Sequence, residues 1–319
     1  MDALSDLLRV VRFSGGLFLE AQFRGAWCVR SQVEPTDLGP GINPRAQLVA
    51  FHYVLEGRMQ VRLGRETPLQ AERGNLILLA HNDPHFLGSD VNLPAREAGP
   101  LVRKAGEHEL ACIDFGDANQ AGCHFVCGFL ATTLREHPLL AALPPLLVAD
   151  LRGQPCAEWA ESSFRYAARE HASCRPGSQE ILGRLSELLF VEAVRGHIDK
   201  LSAEATGWLV ALRDPALSRA LAALHSRPAH AWTAEALAKE ACLSRSAFAE
   251  RFGRVVGLPP MSYLTRWRML LASLRLRESA DTIAQIAAAL GYESESTFSR
   301  AFTREMGIAP GAWRRSGPG

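Results

Sequence analysis

TAEALAKEACLSRSAFAERFGRVVG (residues 233–257) and TIAQIAAALGYESESTFSRAFTREMG (residues 282–307) are one structural phrase written twice. Phe248, Phe252, Gly257 and Pro260 recur as Phe298, Phe302, Gly307 and Pro310, each fifty positions on. Each copy opens with an Ala-rich helical stretch, passes through a short polar turn, and restarts at a serine able to cap a helix, Ser244 or Ser294. The paired Phe residues lie one turn apart on one helical face and are expected to be buried. Helix, tight turn and helix form the unit that reads the DNA major groove. Two copies predict a chain that grips two successive groove segments.

The flanks support the same reading. Asp214 to Ser226 reads as an opening helix that Pro228 ends, and Thr233 is a suitable N-cap. Thr282 followed by Gln285 fits a capping box. Met261 to Arg277 forms a continuous helical candidate between the copies. At ~1.5 Å per residue it is roughly 25 Å long, enough to hold two reading heads about one DNA turn (~34 Å) apart.

In each second helix the face opposite the Phe pair is free to enter the groove. It presents Arg245, Ser246, Ala249 and Glu250 in the first copy, and Glu295, Ser296, Ser299 and Arg300 in the second. Arg245 and Arg300 suit bidentate pairing with guanine, while Glu250 and Glu295 suit the cytosine amino group. Arg251, Arg254, Arg266, Arg268 and Arg304 are better placed for phosphates, which position a protein without specifying sequence.

Charge is divided along the chain. The net charge is +1, but residues 220–319 hold 13 Lys and Arg against 8 Asp and Glu, leaving an acidic remainder. A basic third beside an acidic body fits a phosphate-binding module joined to a sensor. The 319 residues imply two or three domains, and 47% hydrophobic residues suffice for their cores. No apolar run approaches the roughly eighteen residues of a membrane span, and Asp2 and Asp6 stand where a secretion signal would be basic. Seven cysteines without framework spacing fit a reducing cytoplasm.

Upstream, residues 47–128 carry strand signals. QLVAFHYVLEG and RMQVRLG alternate, the latter with Met59, Val61 and Leu63 on one face, and GNLILLAHNDPHFLG and ELACIDFG follow between turn clusters. Short strands at this spacing indicate a small β-sandwich or barrel. Residues 94–109 read as loop and LPPLLVADLRG as a connector. Helices are expected over Glu158–Arg169 and Gln179–Ile198, the second with Ile181, Leu182, Leu185, Leu188, Leu189, Glu192 and Val194 largely on one stripe suited to dimerisation. Residues 1–25 carry no motif; an arm over the sensor is one reading.

The run IAQIAAALGYESESTFSRAFTREMGIAPGAWRR and the linker PPMSYLTRWRMLLASLRL resemble the DNA-binding domain of the AraC/XylS family of bacterial regulators. The resemblance implies the eight base-reading positions named above. Ala249 departs from it, being too short to hydrogen-bond a base. FHYVLEGRMQVRLG with ERGNLILLAHNDPHFL resembles a degenerate cupin of the kind that serves as a sensor in such regulators. The expected fold class is therefore α+β. A cupin-like sensor spans 1–135, a helical connector and dimerisation region 136–212, and an all-α DNA-binding domain 213–319. In the last, helix-turn-helix units lie at about 233–254 and 282–305, joined by a linker helix at about 261–277.

Three inputs to the sensor stay open. One is a small organic effector inside the barrel. Another is a metal held by His52 and His85 with His124 or His81, although the paired histidines and glutamate of enzymatic cupins are absent. The last is oxidation of Cys112, Cys123 or Cys127, His124 being able to lower a neighbouring thiol's pKa. No cofactor is expected. The whole points to a cytoplasmic, homodimeric regulator of promoter DNA, touching RNA polymerase if it activates, with a metal-dependent cupin enzyme as the alternative. A dimer would present four heads and favour direct repeats or spaced half-sites.

Overall fold

The computed structural model describes the chain except residues 1, 11–12, 35–37, 39–42, 44–45, 104–110, 133–137, 174–177, 203 and 316–319. It forms two compact units: Phe13–Lys200, and Met1–Arg12 together with Leu201–Gly319. This division differs from the three parts read in the sequence, and the boundary read at 135–136 lies outside the described residues.

The Phe13–Lys200 unit is built on two sheets. Strands β1 (Ser14–Arg24), β3 (Gln47–Glu56), β6 (Asn75–Leu79), β9 (Ala111–Phe115), β10 (Gly122–Thr132) and β11 (Leu146–Asp150) form one, in the order β11-β6-β3-β10-β1-β9. The other is β5-β4-β7-β2-β8, from β2 (Cys28–Ser31), β4 (Arg58–Leu63), β5 (Leu69–Glu72), β7 (His85–Gly88) and β8 (Arg96–Glu97). Neighbours are antiparallel apart from β1–β9 and β2–β8. Their inner faces share one apolar core: Leu19, Ala21 and Phe23 at period two from β1, Met59 and Val61 from β4, and Phe125 from β10. Phe23, Trp27 and Phe125 stack within it, with centroids 4.1 to 6.1 Å apart. This is the sheet-rich architecture of a cupin.

Three sequence expectations change here. β3 does not alternate between core and solvent, because both its faces are covered: Phe51 and Tyr53 point outward onto Phe164, whose ring stacks on Tyr53 at 4.1 Å. Phe164 belongs to α3 (Ala157–Ser173), and α4 (Ser178–Lys200) lies across β1, where Gly183 comes close to the Gly15 carbonyl. The connector LPPLLVADLRG contains an edge strand, β11, preceded by α2 (Pro138–Ala142). The α4 stripe also splits. Leu182, Leu189, Phe190 and Val194 are buried, while Ile181 and Leu188 are 37% and 50% exposed.

The second unit is all helical. It contains α1 (Ala3–Val10), α5 (Trp208–Arg213), α6 (Pro215–Ser226), α7 (Ala234–Glu240), α8 (Arg245–Val256), α9 (Pro260–Glu278), α10 (Ile283–Ala289), α11 (Glu295–Met306) and α12 (Pro310–Arg315). Local signals set most boundaries. Asp214, Thr233, Ser244 and Ser294 each accept hydrogen bonds from the first turn of the following helix, and Thr282 with Gln285 makes a complete capping box. Gly257 and Gly307 end α8 and α11 at φ of 82° and 77°, a left-handed conformation that favours glycine. The linker helix α9 packs Met269, Ala272 and Leu276 against Phe298 and Phe302, and α12 adds Trp313.

The membership of α1 was not foreseen. Ala3 and Leu7 are buried, and α1 packs on α6. A polar chain ties it down: His225 Nδ1 donates to the Ala3 carbonyl (3.2 Å), and the Tyr263 hydroxyl donates to His225 Nε2 (2.7 Å) while accepting from Trp208 Nε1 (2.8 Å). His225 also stacks on Trp267 at 3.9 Å, and burial holds its pKa down at about 4. Among the described residues no helix is long and apolar enough to cross a membrane.

Phe298 is fully buried, so Phe298→Ala removes a ring and leaves a cavity. We expect a loss of about 3–5 kcal/mol in stability by urea titration, with the fold retained by circular dichroism.

Candidate nucleic-acid interface

Helices α8 and α11 are held from behind and open in front. Phe248 and Phe252 are buried with ring centroids 5.5 Å apart, and Phe298 and Phe302 are buried at 5.8 Å. On the opposite side Arg245, Ser246, Ala249 and Glu250 are exposed, as are Glu295, Ser296 and Arg300, with Ser299 half-buried. Ser246 and Ser296 lie 3.3 and 3.2 Å from the capping hydroxyls of Ser244 and Ser294, so each belongs to its helix start as well as to the outer face.

The turns differ by one residue. Four residues separate α7 from α8 and five separate α10 from α11. Gly291 takes the left-handed position of the second turn at φ 79°, whereas Cys242 holds it in the first at 56°.

Tertiary structure sorts the arginines into two groups. Arg245, Arg254 and Arg300 are exposed and make no hydrogen bond or ion pair among the described residues. Arg304 and Arg266 are exposed, at 3.3 and 3.7 Å from Glu305, contacts a phosphate can replace. Arg251 and Arg268, also read for phosphates, have internal partners. Arg251 holds Asp214 through two nitrogens at 2.6 Å, and the same carboxylate caps α6, so this guanidinium fastens α8 to α6. Arg268 donates to the Pro228 and His230 carbonyls at 2.7 and 2.9 Å and lies 5.5 Å over the Tyr292 ring. It therefore links the segment before the first unit to the turn of the second. Arg219 and Arg314 do similar work without any local sequence signal. Arg219 donates to the Glu240 and Ala241 carbonyls at the end of α7, and Arg314 to those of Leu276 and Asp281.

In the two-sheet unit the candidate sensor residues separate. His52 and Cys127 are cross-strand partners, with Nδ1 3.0 Å from Sγ, and His52 Nε2 lies 2.9 Å from His85 Nε2. His124 is elsewhere, 2.7 Å from Glu20, whose pKa it lowers. His81 meets the Leu140 carbonyl at 3.2 Å. Among the described residues no cluster of three His, Cys, Asp or Glu could hold a metal.

Nor do the cysteines meet. Cys123 and Cys127 point into the core four residues apart on β10, about 13 Å by strand rise, whereas a disulfide needs roughly 4.4–6.8 Å between Cα atoms. Cys112 is exposed, next to inward-facing Ile113. Burial pushes the Cys123 thiol up to about 12 and raises that of Cys127 as well. Both are held as thiols, the less reactive form.

Known proteins carry this combination. A Cupin family model matches residues 2–199 and a Helix-turn-helix domain model residues 237–316. The chain is 31% identical to the HTH-type transcriptional regulator AlkR of Acinetobacter baylyi, over 99% of both chains. It is 32% identical to an AraC-like transcription regulator of Streptomyces lividans, over 99% of this chain and 98% of that one. The chain belongs to the AraC-like transcriptional regulators. It is thus a DNA-binding regulator of transcription with a cupin-like N-terminal region. Among solved structures it is similar to the DNA-binding domain of AdpA in complex with a target DNA, at 29% identity over 32% of this chain and 92% of that one, TM-score 0.31.

The arginine sorting is testable. Arg254→Ala is expected to weaken binding to all DNA sequences alike and lower the salt slope by about 1, with unchanged stability. Arg268→Ala is expected to lower the melting temperature first. Salt-dependent anisotropy and thermal denaturation of both variants check this.

Proposed function

We propose that this regulator reads two successive major-groove segments through α8 and α11. Arg245, Ser246, Ala249 and Glu250 face one set of base edges, and Glu295, Ser296, Ser299 and Arg300 the other. Arg254, Arg266 and Arg304 position the backbone. The observation that carries the reading is the pairing of a buried Phe face with an open outer face in both copies, each bearing an unengaged arginine, Arg245 or Arg300. A guanidinium without an internal partner is free to pair with guanine N7 and O6. Glu250 and Glu295 add acceptors for cytosine, and Ala249 offers only apolar contact.

In this reading the protein acts as a homodimer in the cytoplasm, without a catalytic step, and meets RNA polymerase where it activates. The exposed Ile181 and Leu188 lie seven residues apart on one face of α4, next to half-buried Leu185, and supply the apolar centre of a second copy's docking site. The input favoured is a small-molecule effector. Burial of Cys123 and Cys127 as thiols weighs against oxidation.

Two measurements test this. DNA selected in vitro on the full-length protein supplies an operator, and Arg300→Ala should weaken binding to it by about 1–3 kcal/mol in anisotropy titrations. Equal affinity of the unaltered protein for selected and scrambled DNA would sink the assignment. Leu188→Glu places a charge in the α4 face and should shift the sedimentation profile from dimer to monomer; an unchanged dimer places the interface elsewhere.

A further inference from the structure

The core between the two sheets contains a polar line of side chains that DNA reading does not use. Cys127, His52, His85 and the main-chain carbonyl of Asp83 stand in line, with successive contacts of 3.0, 2.9 and 2.9 Å. Cys127 and His52 belong to the six-stranded sheet and His85 to the five-stranded one. The three side chains are fully buried, among Val54, Ile77, Leu87 and Phe125. The line therefore crosses the interior and joins one sheet to the other.

Its protons are placed from one end. A carbonyl only accepts, so His85 Nδ1 carries a hydrogen. A neutral imidazole has one N–H, which makes His85 Nε2 an acceptor. His52 must then donate from Nε2, and its Nδ1 is left bare. Among the described residues the donor that faces it is the Cys127 thiol. Each link holds one proton. A second proton on either ring sets two hydrogens against each other or faces the thiol hydrogen. Burial acts in the same sense, holding His85 at about 4, His52 well below the ordinary histidine value, and Cys127 above the ordinary thiol.

Enzymatic cupins hold a metal at their centre, and these residues do not fit one. Cys127 and His85 approach opposite nitrogens of His52, so no single ion meets all three. The imidazole nitrogens are 2.9 Å apart, less than the about 3.3 Å spanned by two nitrogens bound to a tetrahedral zinc. Among the described residues of this unit no carboxylate is buried to balance a cation. We infer that the centre of this sensor is an uncharged, metal-free hydrogen-bond bolt, Cys127 to His52 to His85 to Asp83, that fixes its two sheets to each other. Cys127 is its terminal donor and a positioning residue. The fold uses the hydrogen of the thiol, not its nucleophilicity.

Full-length protein labelled with ¹⁵N-histidine tests this by long-range proton–nitrogen correlation spectra near neutral pH. His85 should be protonated at Nδ1 and His52 at Nε2, both neutral, with zinc content far below one per chain and spectra unmoved by added zinc. Cys127→Ser keeps a donor and should preserve the His52 tautomer and the melting temperature. Cys127→Ala should release the tautomer and lower the melting temperature. An imidazolium at either position, a proton on His52 Nδ1, one zinc per chain that shifts both rings, or identical behaviour of the Ser and Ala variants would overturn the inference. The spectra of the unaltered protein decide the tautomers even if a variant fails to fold.

Discussion

Burial of four phenylalanines in one helical unit is the constraint on which the DNA-binding half depends. Phe248 and Phe252, and then Phe298 and Phe302, must leave water, and each pair sits one turn apart on a short helix. Burying that stripe fixes how each helix is rotated about its axis, and so which residues remain outside. The open outer face is the remainder of a hydrophobic decision. At α11 this is explicit: Phe298 and Phe302 pack on Met269, Ala272 and Leu276 of α9, which leaves Glu295, Ser296 and Arg300 exposed.

The arginines of this unit divide into engaged and open ones. Arg251, Arg268, Arg219 and Arg314 are engaged with a carboxylate or with main-chain carbonyls at helix ends and turns, where a planar donor fork satisfies acceptors that helix geometry leaves open. Arg245, Arg254 and Arg300 have no such engagement among the described residues. Net basic charge therefore overstates the surface available to phosphate. The two-sheet unit differs, because its buried polar groups are uncharged types: Asn82 bonds the Val33 main chain, and His52 lies between Cys127 and His85.

Features that rest on near neighbours in the chain were legible from the residues. The capping serines, the Thr282–Gln285 box, the left-handed glycines after α8 and α11 and the Phe stripes all act within a few residues, so periodicity and spacing suffice to find them. Strands β3, β4, β6, β7, β9 and β10 are legible in rough position, while β1 and β2 carry no reading in the sequence and β3 departs from the alternation expected of it. Its outward Phe51 and Tyr53 look like core residues out of phase until α3 is seen to cover them. The edge strand β11 was missed because Pro144 and Pro145 disguise its start.

The sequence by itself determined that this protein carries two helix-turn-helix units, where the second helix of each begins and ends, and which face of each is apolar. Those are matters of helical period and first-turn hydrogen bonding. Only the tertiary structure decided which arginines remain free, that the N-terminal helix belongs with the DNA-binding helices, and that Cys127, His52 and His85 form one line. The partners in those contacts are far apart in the chain: 40 residues for Arg268 and Pro228, 75 for Cys127 and His52, 222 for His225 and Ala3. No local pattern encodes a hydrogen bond over such a distance. It exists only once the hydrophobic layers have set the backbones in place.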